Sequence, residues 1–171
     1  MSEMREGMRP SITRAEIAEM VRELARDIER DYDGKELVMI CPLKGSVLFA
    51  ADLCREITRP QIIDFVQIIS PKGESCRIVK DINVDIQDQH VLIVEEIIDA
   101  GRTLSFLKSR LAASFPASLK VVSLLDKPAL RELPIQPDYV GRTIDDRFVI
   151  GYGMDSDEKG RNYKDIYNFT Q

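Results

Sequence analysis

The sequence predicts an α/β fold, a mainly parallel sheet flanked by helices. Two observations carry this. Short continuous apolar runs at Leu37 to Ile40 and Val91 to Val94 read as strands buried on both faces, and Val121 to Leu125 reads as a further strand. Between them lie segments that read as helices, so strand and helix alternate along the middle of the chain. With 171 residues, the chain is expected to form one domain, 1–171, large enough to bury a sizeable core.

The first element is a helix. Thr13 and Glu16 have the spacing of a capping box, and Ile17, Met20, Val21, Leu24 and Ile28 recur on one helical face until Asp33-Gly34 breaks it. After the run Leu37 to Ile40, Pro42 to Ser46 reads as a turn and Val47 to Ile57 as the next helix. Ile62 to Ile69 is strand-like, Ser70 to Ser75 a loop, and Arg77 to Val79 a short strand. The run Val91 to Val94 is followed by a helix from Leu104 to Ser114 and the strand Val121 to Leu125. Beyond Pro128, Pro134 and Pro137 the chain is expected to be irregular until a last strand at Phe148 to Tyr152.

Composition narrows the function. A net charge of −5 argues against a chain whose main task is gripping nucleic acid. No apolar run approaches the length of a membrane span, and Met1 to Arg9 is charged rather than signal-like. Cys41, Cys54, Cys76 and the single His90 have neither zinc-ligand nor redox spacing, so the cysteines are expected as plain thiols in a reducing cytoplasm.

The segment Val91 to Leu104, VLIVEEIIDAGRTL, carries the chemistry. Ligands of a parallel sheet collect beyond the carboxyl ends of its strands, where the residues after Val94 are expected. Ala100 and Gly101 let backbone N–H groups approach an anion at the start of a helix, whose partial positive charge suits a phosphate monoester. Arg102 and Thr103 can add donors. Glu95 and Glu96 suit a vicinal diol, directly or through a divalent cation. Taken singly, Asp99 or Thr103 could be a helix cap and the two glutamates a solvated strand end. Together they favour a phosphorylated sugar.

This segment resembles the 5-phosphoribosyl 1-diphosphate loop of the purine phosphoribosyltransferases, in particular the hypoxanthine-guanine branch. Three further segments match that family in order: Pro42-Leu43-Lys44-Gly45-Ser46, Leu124-Leu125-Asp126-Lys127-Pro128, and Phe148 to Asp155 followed by Glu158, Gly160, Arg161 and Asn162. The resemblance implies a type I phosphoribosyltransferase fold with a small hood built from the terminal segments. It implies transfer of the phosphoribosyl group to a 6-oxopurine, giving IMP or GMP and pyrophosphate in purine salvage, with Mg²⁺ as cofactor. By the same resemblance Asp99 is the general base, Glu95 and Glu96 face the ribose hydroxyls, and Ala100, Gly101, Arg102 and Thr103 cradle the 5′-phosphate. Lys44 and Gly45 would bind pyrophosphate through backbone amides. Lys127 would donate to the purine O6, Phe148 would stack on the ring and the Val149 backbone would read its edge. Asp155, with Glu95 and Glu96, would approach the metal, and Arg161 the pyrophosphate. Association as homodimers or homotetramers follows from the same likeness, with no nucleic-acid or membrane partner.

The chain departs from the family pattern in three places. Glu96 stands where aspartate is usual, Ala100 replaces a threonine of the phosphate turn, and the lid between Phe65 and Arg77 is short, with Pro71 where tyrosine is expected. These differences motivate an alternative in which the chain binds nucleotide or sugar diphosphate as a regulator without turnover.

Overall fold

Residues 9–70 and 75–169 are described by a computed structural model. The short lid expected over Ser70 to Ser75, with its Pro71, lies largely outside the described residues. The elements, in chain order, are β1 (Pro10–Ile12), α1 (Arg14–Asp31), β2 (Leu37–Leu43), α2 (Val47–Glu56), β3 (Gln61–Ile69), β4 (Arg77–Lys80), β5 (His90–Ile98), α3 (Arg102–Ala112), β6 (Ser118–Asp126), β7 (Tyr139–Thr143), β8 (Val149–Ile150) and β9 (Ile166–Asn168). Six strands form one sheet in the order β4-β3-β2-β5-β6-β7, and β1-β9-β8 form a second, smaller sheet. All neighbours in the large sheet are parallel except β3 and β4.

From β2 the chain steps through α2 to β3 on one side, and from β5 through α3 to β6 on the other. One right-handed crossover sense applied in opposite directions puts the two helices on opposite faces. The core divides accordingly. Ile17, Met20, Leu24 and Ile28 of α1 and Phe49 and Leu53 of α2 pack against Met39 and Leu92 on one face. Leu104, Leu107 and Leu111 of α3 pack against Val38, Ile40, Val91 and Ile93 on the other.

Helix α1 starts as its sequence predicts. The Thr13 hydroxyl accepts from the Glu16 N–H, and the Glu16 carboxylate accepts from the Thr13 N–H at 2.8 Å. That carboxylate also takes the Arg142 guanidinium at 3.2 Å, which ties the cap to β7.

The expected last strand at Phe148 to Tyr152 is only Val149–Ile150 and is followed by β9, and strands β5, β2 and β7 also differ from expectation. Strand β5 does not stop at Val94 but runs to Ile98, because β6 continues beside it until Ile98 pairs with Asp126. Strand β2 runs through Pro42 to Leu43; past Ile40 it keeps only its β3 ladder, so a residue without an N–H is tolerated there. The supposedly irregular stretch after Pro137 contains β7, where Gly141 is required: a Cβ would stand 2.6 Å from the Leu124 carbonyl oxygen. The terminal hood is present as β1, β8 and β9, with β1 bound to β9. Among the described residues no helix is long and apolar enough to cross a membrane, and the three cysteines are free thiols.

Replacing Thr13 with alanine removes the capping hydroxyl and is expected to cost about 1 kcal/mol. Chemical denaturation measures this; an unchanged midpoint would mean that Glu16 holds the helix start through the Thr13 amide and Arg142 alone.

Candidate active site

Strands β2 and β5 are hydrogen-bonded neighbours only from Leu37–His90 to Ile40–Ile93. The crossovers leave them in opposite directions, so their carboxyl ends mark the switch point of the sheet, where a crevice opens. A cleft of about 440 Å³ lies there. One wall is Pro42, Leu43, Lys44 and Gly45 from the end of β2; the other is Glu95 to Leu104, from β5 into α3. Asp155 and Arg161 from the C-terminal segment close it above, and Ile68 and Ser70 at the end of β3 close its side.

The phosphate-like turn is built as an anion receptor. Gly101 is the N-cap of α3 with φ +81°, and no side chain caps the helix. Neither Asp99 nor Thr103 serves as a cap, which leaves the first N–H groups of α3 for a ligand. A Cβ on Gly101 would stand 2.6 Å from Ile135 and 3.1 Å from Arg131, so the position tolerates only glycine on both steric and dihedral grounds. The Arg102 guanidinium does not turn toward this receptor. It pairs with Glu132, Nε to Oε2 at 2.6 Å, leaving only its backbone for the cleft.

The acid pair lies inside β5 rather than beyond it. Glu95 is buried, and burial together with its neighbour Glu96 pushes its carboxyl well above the ordinary range. Glu96 is pushed up to about 7, first by burial and then by Asp155 and Asp99, against a lowering by Arg161. Its carboxylate lies against the β2 turn: a Cβ on Gly45 would stand 1.8 Å from Glu96 Oε1. Gly45 therefore leaves the room that the longer glutamate side chain occupies. The Leu43–Lys44 peptide beside it is cis.

Cations and acids alternate over the cleft. Arg161 pairs with Asp155 at 2.8 Å and Glu158 at 3.1 Å and donates to the Gly153 carbonyl at 2.7 Å. Lys44 reaches the same Glu158 at 3.0 Å. Glu158 thus bridges Lys44 and Arg161, and its pair with Lys44, between exposed side chains, is worth little and is readily exchanged.

Lys127, Phe148 and Val149 do not line this cleft but stand beyond the Asp99 side of it or in the hood. Lys127 is buried, not the exposed turn lysine its surroundings suggest, and its ammonium lies 3.4 Å from the Asp99 carboxylate. Phe148 is 46% exposed, with its ring 6.0 Å from that of Phe169. The Phe169 N–H donates to the Phe148 carbonyl, so antiparallel alternation turns the Val149 backbone away from β9 toward the edge of the small sheet.

Among the described residues no three His, Cys, Asp or Glu side chains gather closely enough to cage a metal. Glu95, Glu96 and Asp155 therefore do not form a protein-only ligand set. Sequence reasoning missed Arg131 and Glu132, which support the turn from below, and assigned no role to Glu158. Their only trace in the sequence is position, a few residues after Lys127 and Asp155.

A family model described as a phosphoribosyl transferase domain matches residues 11–157. The chain belongs to that family. This phosphoribosyltransferase is 41% identical over 158 residues to a hypoxanthine phosphoribosyltransferase of Salmonella typhimurium, covering 88% of this chain and 89% of that one. It is 38% identical over 156 residues to a hypoxanthine-guanine phosphoribosyltransferase of Staphylococcus aureus, covering 88% and 87%. Its fold matches the crystal structure of a hypoxanthine-guanine phosphoribosyltransferase from Bacillus anthracis with a TM-score of 0.93 at 42% identity, over 95% of this chain and 98% of that one.

The acid pair makes stability depend on pH. An unfolded Glu96 ionises near 4.5 and the folded one near 7, so between these values the folded state holds the extra proton and stability falls as pH rises. Glu96→Gln is expected to raise Tm relative to the native chain, by more at about pH 8 than at about pH 5. An equal Tm difference at both pH values would contradict the raised, half-buried carboxyl.

Proposed function

We propose that this phosphoribosyltransferase moves the 5-phosphoribosyl group from 5-phosphoribosyl 1-diphosphate to hypoxanthine or guanine, giving IMP or GMP and pyrophosphate in purine salvage. The observation that carries it is the Asp99–Lys127 pair at 3.4 Å beside an uncapped helix N-terminus. A carboxylate and an ammonium so placed address two features of a 6-oxopurine at once. Asp99 accepts the imidazole proton, and Lys127 donates to O6; an ammonium can donate there but cannot accept from the amino group of adenine. The regulator alternative finds no comparable support, since a binder of nucleotide alone needs no base beside the purine.

The anomeric C–O bond breaks as pyrophosphate departs, leaving positive charge on the ribose ring. Glu95 and Glu96 accept hydrogen bonds from the ribose hydroxyls, and Glu96 adds negative charge near the ring. The N–H groups of Ala100 to Thr103 hold the 5′-phosphate and keep the sugar in place. Arg161 and the amides at Lys44 and Gly45 receive the pyrophosphate once Glu158 has released its two cations. Phe148 covers the purine face, and the outward Val149 backbone meets the base edge.

Mg²⁺ fits this donor set. Asp155 and Glu96 present carboxylates to one cleft, their mutual repulsion contributes to the high Glu96 pKa, and a cation that keeps its waters and shares substrate phosphates needs only one or two protein carboxylates. When bound it would neutralise charge on the diphosphate.

Nucleotide formation from hypoxanthine and guanine, with adenine unused, is the expected result of an assay against the four purine bases; no product from any base would sink the proposal. Asp99→Asn is expected to lower kcat by roughly 10²–10⁴-fold, the usual worth of a general base. Ala100→Thr restores a hydroxyl to the turn and is expected to lower KM for the diphosphate by about tenfold. An unchanged KM would mean that Thr103 or an amide already fills that place.

A further inference from the structure

We propose that Arg131 is a positioning residue for the reaction, the central tie of a strap that orients the phosphate turn and the Asp99 carboxylate. The inference rests on the reading of Asp99 and the turn given above. Three successive carbonyls of the turn are held from one segment: the Lys127 N–H donates to Ile98 at 2.9 Å, the Arg131 guanidinium donates to Asp99, and the Glu132 N–H donates to Ala100 at 3.1 Å. In a trans peptide the C=O and the following N–H point in opposite directions. Holding the carbonyls of Ile98, Asp99 and Ala100 on the strap side therefore turns the N–H groups of Asp99, Ala100 and Gly101 away from it, and these residues line the cleft.

The first and third ties are backbone bonds whose donors only a proline would remove. The middle one belongs to a side chain, and that side chain is itself anchored. Arg131 pairs with Asp126 at the end of β6, both side chains being about nine-tenths buried. Asp126 in turn lies opposite Ile98 in the β5–β6 register, so the ion pair links the turn to the carboxyl end of an interior strand. The aliphatic part of Arg131 also fills the space beneath Gly101. A planar guanidinium spans a carboxylate and a carbonyl together, whereas an ammonium is a point charge that serves one of them. With alanine at position 100 the turn has one hydroxyl donor fewer, so amide orientation carries more of the phosphate binding here.

The test compares Arg131→Lys, Arg131→Met and Asp126→Asn with the native chain in steady-state kinetics and thermal melting. Loss of one charge-assisted hydrogen bond corresponds to about 10–100-fold, expected as a rise in KM for 5-phosphoribosyl 1-diphosphate together with a fall in kcat, while KM for the purine stays within about twofold. Arg131→Lys is the discriminating variant, because it keeps the charge beside Asp126: it should retain most of the native Tm and still show the diphosphate defect. Native KM for the diphosphate in Arg131→Lys, or an equal rise in KM for both substrates, overturns the proposal. If Arg131→Met does not fold, Arg131→Lys and Asp126→Asn decide. If the native chain forms no nucleotide, the functional reading fails separately, and calorimetry with ribose 5-phosphate still decides the strap: weaker binding by Arg131→Lys supports it and equal binding overturns it.

Discussion

The parting of β2 and β5 is the constraint on which the rest of the site depends. After Ile40 and Ile93 the two central strands no longer exchange hydrogen bonds, although each continues beside its outer neighbour. Backbone groups at such a split need partners, and here side chains and a ligand can supply them. Opposite crossovers then put α2 behind one wall and α3 behind the other. Two strand-to-helix turns consequently face each other across about 440 Å³, and the cleft needs no mobile element to exist.

That geometry creates an electrostatic cost. Glu95 and Glu96 are carried into the cleft floor by β5, where burial works against their charge, and Asp155 and Asp99 add to the repulsion at Glu96. Arg161 offsets part of it, and Glu158 occupies Arg161 and Lys44 in turn. The protein's own charges thus leave the cleft short of positive charge below and place a carboxylate above. A ribose hydroxyl donor, a cation and a diphosphate are each complementary to one part of that arrangement.

The central segment was legible because local chemistry is concentrated there: acids, small residues and donors share one strand-to-helix junction. The capping box and apolar face of α1 and the strand cores Leu37 to Ile40 and Val121 to Leu125 were legible for a similar reason, since local spacing and apolar content report capping and burial directly. Less could be read where pairing comes from distant chain. Strand β7 is short and contains Gly141, and only its neighbour β6 makes it a strand. Strands β1 and β9 bind each other across most of the chain length, which no local pattern reports.

By itself, the sequence determined the fold class, the family and the residue types at the site, because these follow from apolar periodicity and from motifs whose members are close in sequence. Tertiary structure alone decided how those residues are used. It placed Glu95 and Glu96 within a strand and raised their pKa values, buried Lys127 against Asp99, turned Arg102 away to Glu132, and brought Arg131 under the phosphate turn. Each of these depends on burial or on a partner some thirty residues away or in the next strand. Desolvation and hydrogen bonding act through space, and chain order does not encode them locally.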